Sequence, residues 1–94
     1  MIKSFKSKAL RLLWGKNDSN KLPKQQVRKI RILLQIIDEL ENSPNDLKDF
    51  ISLRPHLLQG NLKEFWSLNV TGNYRIIFMF VDGDAYDVDY LDTH

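Results

Sequence analysis

Cysteine is absent from this chain of 94 residues, which removes disulfides, zinc–thiolate sites and thiol nucleophiles together. Long apolar runs are missing as well. None approaches the ~18 residues a membrane-spanning helix needs. Leu10 to Trp14 is interrupted by Arg11 and precedes no small-residue cleavage site, so it reads poorly as a signal peptide and the expected location is the cytoplasm, away from any membrane. There is no internal repeat, no low-complexity tract and no glycine loop of the kind that cradles phosphate. Neither cofactor nor metal is expected, because His56 and His94 stand 38 positions apart without clustered Glu or Cys. What is present, 43% hydrophobic and 28% charged residues, is ordinary globular composition. A chain this short forms one domain, residues 1–94, burying roughly 60–65% of its unfolded surface.

Acidic residues are nearly missing from the first third. Residues 1–31 hold ten Lys or Arg against Asp18 alone, a balance of +9, whereas residues 32–94 hold four against eleven, a balance of −7. A chain so polarised can offer a face to a polyanion while its net charge is only +2, although clustered Lys and Arg also suit a merely solvated helix.

Taken in order, Ile2 to Phe5 reads as a short edge strand. Ser7 caps a helix from Lys8 to about Trp14, with Ala9, Leu10, Leu13 and Trp14 as its buried stripe and Trp14 as core. Gly15 to Asn20 reads as a loop. Pro23 opens a second helix to about Asn42, because Val27, Ile30, Leu34, Ile37 and Leu40 recur at spacings of three and four. That helix lacks a strong N-cap, and its charges run from basic to acidic, against its dipole. Ser43-Pro44-Asn45-Asp46 opens a short helix through Phe50.

From Arg54 the period changes to that of strands. One carries His56, a connection through Gly60 leads to a second through Trp66, a Thr71-Gly72 turn leads to a third from Tyr74, and Asp82-Gly83-Asp84 turns into a fourth. The third alternates apolar residues on nearly both faces and should be central. The Thr71-Gly72 turn leaves its register open, since a β-branched residue resists positive φ. The expected fold is α+β, with two N-terminal helices on one face of a twisted antiparallel sheet of about four strands. Counting back from the Asp82-Gly83-Asp84 turn sets Tyr90 to Asp92 beside Tyr74 to Ile76, and His56 two strands from Arg75. Trp66, Phe65 and Tyr74 read as core rather than as a base-stacking platform.

Four stretches in combination, the opening IKSFK, H-x-L-x-G at His56 to Gly60, W-S-x-x-V-x-G-N-x-R-I at Trp66 to Ile76 and the closing D-x-H, resemble the HigB-type toxins of the RelE/ParE superfamily. The resemblance spans most of the chain. It implies a toxin of a type II toxin–antitoxin system that cleaves mRNA on the ribosome without metal. It also implies a HigA-type antitoxin with a helix-turn-helix domain, operator DNA being reached only through that antitoxin. His56, Arg75, Asp92 and His94 match the family's catalytic positions. Cleavage needs a base for the ribose 2′-hydroxyl, a cation for the phosphate and an acid for the 5′-oxygen. The two imidazoles suit base and acid in either order, Arg75 suits the phosphate, and Asp92 suits base action or imidazole orientation. Lys6, Lys8, Arg11, Lys24, Arg28 and Arg31 would grip ribosomal RNA. Each has a plainer reading: His56 as a solvated strand residue, His94 as a frayed end, Arg75 as the partner of Asp87, Asp89 or Asp92.

Three departures from the family's pattern predict slower cleavage or altered codon preference. Leu57 and Gln59 stand where many relatives have Pro and Lys, and Thr93, which cannot stack on a base, stands where they commonly have Tyr. Two other classes fit a similar chain: a non-enzymatic ParE-like toxin acting on DNA gyrase, which the histidine pair disfavours, or a catalytically weak toxin serving mainly as an antitoxin-binding and autoregulatory partner.

Overall fold

The first helix begins where Ser7 predicts. In the computed structural model, which describes residues 1–41 and 46–92, the Ser7 Oγ accepts the Leu10 N–H at 3.2 Å and α1 spans Lys8–Lys16. It outlasts the expected end at Trp14 because Asn17 takes φ +56, a conformation Asn tolerates, and closes the last turn with its own N–H. Leu10 and Leu13 are buried, but Trp14 is 37% exposed, contrary to its reading as core. The leucines of the two helices already fill the space between them. The indole therefore lies along a cleft with Asn17, Arg31 and Gln35, where an amphipathic ring tolerates one wet side.

Pro23 leads into a single tight turn, Lys24–Gln26, followed by α2, Val27–Glu39. No side chain caps this start, and the first turn holds no acid and the last no base, as the charge order implies. α2 stops before Asn42 because Leu40 is extended (φ −64, ψ 136). The cap expected at Ser43-Pro44-Asn45 lies outside the described residues. Beyond it, Asp46–Leu53 forms tight 3-10 turns broken at Phe50 instead of a regular helix.

Four strands follow in the order β1 (His56–Leu57), β2 (Phe65–Thr71), β3 (Tyr74–Val81) and β4 (Asp84–Asp92), every neighbour antiparallel. Asp82 (φ +50) and Gly83 (φ +87) are both left-handed, the pairing a two-residue hairpin requires to match strand twist. From this turn the register runs back to Ile76↔Tyr90, Arg75↔Leu91 and Tyr74↔Asp92, with a bulge at left-handed Asp87 absorbing one residue. The other hairpin turns one residue later than expected. Gly72, at φ +48, and Asn73 form the turn, while Thr71 stays in the strand opposite Tyr74. A second bulge around Val70 takes up the slip and sets Asn69 opposite Arg75.

Ile2 and Phe5 bridge Ala85 and Val88 in parallel, so the N-terminal segment covers the outer edge of β4. Ser4 fills the bulge there, its Oγ accepting the Asp87 N–H at 2.9 Å. The core joins Leu10 and Leu13 of α1 and Ile30, Leu33, Leu34 and Ile37 of α2 to Leu68, Ile76, Phe78 and Val88 of the sheet, while Trp66 and Tyr74 pack at its margin. Each such side chain contributes about 1.5–3 kcal/mol through burial. Among the described residues no helix is long and apolar enough to cross a membrane.

Candidate active face

Directly opposed residues of an antiparallel pair point the same way, and alternate residues point oppositely. Leu68, Ile76, Phe78 and Tyr90 therefore share the helix-covered face. His56, Ser67, Ile77 and Asp89 share the other, together with Asn69, Arg75 and Leu91. The imidazole and the guanidinium thus belong to one face, the one turned away from α1 and α2. Their Cα atoms lie two strands and two residues apart, about 12 Å at ~4.8 Å per strand and ~3.4 Å per residue. Two long side chains spanning that gap leave room for a phosphodiester between their tips.

Each group is held locally. His56 is exposed and its Nδ1 lies 2.9 Å from the Arg54 carbonyl oxygen. A carbonyl only accepts, so Nδ1 carries the proton of this bond and Nε2 of the neutral ring is left with its lone pair. Arg75 is half-buried and donates from Nη1 to Asn69 Oδ1, its partner across the β2–β3 hairpin. Among the described residues no ion pair ties it to Asp87 or Asp89, two of the three partners of the plainer reading, and Asp84 pairs with the Met1 amino group instead. Between the two groups Ser67 is fully buried, and its hydroxyl has no hydrogen-bond partner among the described residues.

Asp92 reaches the same end of the sheet on the opposite side. It opposes Tyr74, whose ring stacks on Tyr90 at 5.4 Å between centroids and 10° between planes. The Tyr90 hydroxyl donates to Gln26 Oε1 in the buried first turn before α2. Burial first, then the charges of Tyr74 and Asp92, push this phenol up to about 12. Asp92 therefore belongs to the tyrosine corner, one residue away from the Arg75↔Leu91 pair, and not beside the guanidinium. His94 lies outside the described residues.

Lys6, Lys8, Arg11, Lys24, Arg28 and Arg31 are all exposed, and among the described residues none forms an ion pair. Gln59 is exposed and precedes a tight turn, Gly60–Leu62, in which Gly60 takes φ +72. Asn69 and the Arg54 carbonyl were not legible as site groups. The first becomes Arg75's neighbour only through the Val70 bulge, and the second acts through its backbone.

The family model described as RelE-like toxin of type II toxin–antitoxin system HigB matches residues 3–94. The chain is 40% identical over 94 residues to Endoribonuclease HigB of Proteus vulgaris, covering the whole of both chains. It is 41% identical over 61 residues to Toxin HigB-1 of Vibrio cholerae, covering 65% of this chain and 62% of that one.

Proposed function

The chain belongs to the RelE-like HigB toxins of type II toxin–antitoxin systems, and from that premise we propose that it is an endoribonuclease that cleaves mRNA on the ribosome. The observation that carries this reading is the placement of His56 and Arg75 on one face of the sheet, the face turned away from α1 and α2. Arg75, braced by Asn69, meets two phosphate oxygens and stabilises the charge that grows on them during attack. His56 exchanges a proton through Nε2 as base or acid, and His94 takes the complementary role. The 2′-oxygen bonds to phosphorus as its proton leaves, and the 5′-oxygen departs protonated, giving a 2′,3′-cyclic phosphate and a 5′-hydroxyl. Asp92 acts from the end of β4 on the far side of the sheet from Arg75, through the imidazole of His94 and not as the base at the phosphodiester.

The exposed cations of the first third bind ribosomal RNA, so the ribosome supplies the positioning that a small open face lacks. A partner of HigA type with a helix-turn-helix domain restrains the toxin in the cytoplasm and links it to operator DNA. The test is expression of the wild type and of His56→Ala combined with His94→Ala, with RNA ends mapped during growth arrest. Cleavage lost in the double variant supports the reading. Equal arrest with identical RNA ends in both overturns it.

A further inference from the structure

Away from the active face, a cleft of about 270 Å³ is lined by α1, its cap Asn17 and α2. Its floor is Leu13 and Leu34, both buried, so little aliphatic surface is open there. What stays open is one ring, Trp14, one guanidinium, Arg31, and two amides, Asn17 and Gln35. Among the described residues Arg31 forms no ion pair and the Asn17 side chain has no hydrogen-bond partner. Two acids flank the cleft in sequence, and both already accept hydrogen bonds: Glu39 from Gln35 Nε2 at 2.7 Å, Asp18 from the Asn20 N–H at 3.0 Å. Arg11 stands three residues before Trp14 and Arg28 three before Arg31, so each helix continues the cleft with a further cation one turn away.

A nucleotide answers all of these groups at once. Its base offers a π face to the indole, its edge offers donors and acceptors to the amides, and its phosphates suit a guanidinium with cations in line. An acidic peptide would also answer the cations, but such segments anchor through apolar side chains in an apolar groove, and the leucines here are covered. We propose that the cleft between Trp14 and Arg31 is a second nucleic-acid site, which stacks one unpaired base of ribosomal RNA on the indole while Arg31 meets the adjoining phosphate. This rests on the reading that the helix cations grip the ribosome, and adds to it a base-contacting residue on the helix side of the sheet, opposite His56 and Arg75. The protein then holds the ribosome by its helices and presents its other face to mRNA.

The test is equilibrium binding of the full-length protein to purified bacterial ribosomes without mRNA, across a salt series. Trp14→Leu, which keeps apolar bulk and loses the stacking face, should weaken binding by about tenfold with the salt slope unchanged, and Trp14→Phe should recover most of the loss. Arg31→Ala should weaken binding and lower the salt slope by about one. Irradiation of a Trp14→p-azidophenylalanine chain on ribosomes should attach it to RNA, and this result decides the case even where Trp14→Leu fails to fold. Equal affinity for wild type and Trp14→Leu, or attachment of position 14 to protein alone, overturns the inference, the latter in favour of a peptide occupant. If Lys24→Ala combined with Arg28→Ala weakens binding while Trp14→Leu does not, the ribosome reading stands and the base-stacking site alone falls. Binding indifferent to all of these variants overturns both.

Discussion

The two faces of the sheet are made from the same strands and answer to different demands. One is sealed by α1 and α2 and filled with Leu68, Ile76, Phe78 and Val88, none more than 0% exposed. The other, turned away from α1 and α2, carries His56, Arg75 and Asn69 around Ser67 and Ile77. Alternation along a strand lets one residue serve stability and the next serve chemistry, so damage to either should be separable from damage to the other.

The largest effect should come from the sealed side. Phe78→Ala is expected to cost about 3–5 kcal/mol of stability, measurable by urea unfolding, because it empties a space the helices cannot collapse into. His56→Ala should leave the unfolding midpoint nearly unchanged while lowering the cleavage rate by about 10²- to 10⁴-fold. A loss of stability as great as that of Phe78→Ala would break the comparison. Asn69→Ala should lower cleavage by about tenfold through a loosened Arg75, with little loss of fold, since a hydrogen bond to a charged group contributes about 1.5–3 kcal/mol at most.

The tyrosine corner offers a smaller test from the sealed side. A Tyr90 phenol that titrates near 12 when folded and near 10.0 when unfolded favours the unfolded chain only once pH exceeds 10. Stability should thus hold below pH 10 and decline between 10 and 12. Tyr90→Phe should flatten that decline and, at neutral pH, cost about 1–3 kcal/mol by leaving Gln26 unpartnered. Ser67→Ala sharpens the contrast with the smallest effect. Its hydroxyl has no partner to lose, so stability should change by no more than about 0.5 kcal/mol or rise slightly.

Much of this arrangement could be read from residue order. The Asp82-Gly83 turn pins one hairpin because both positions accept left-handed backbone, and counting from it sets Tyr90 to Asp92 beside Tyr74 to Ile76. The other hairpin resisted, because the choice between Thr71-Gly72 and Gly72-Asn73 depends on a bulge that local chemistry does not announce. Counting also gathers neighbours without telling their faces. Asp92 and Arg75 stand one position out of step, which turns the carboxylate toward Tyr90 while the guanidinium turns away. Trp14 sits at a buried position by period, yet the volume between α1 and α2 was already taken. The left-handed backbone at Arg54, φ +51, has no sequence signal at all, since arginine before proline predicts the opposite conformation.

The plug of Ser4 into the bulge at Asp87 joins residues 83 positions apart. At roughly 5–20 residues translated per second, the socket is made about 4–17 s after the plug that fills it. Until β4 is made, the strand that carries Arg75 lacks its outer neighbour. The weapon is assembled last, by the strand that also locks its frame.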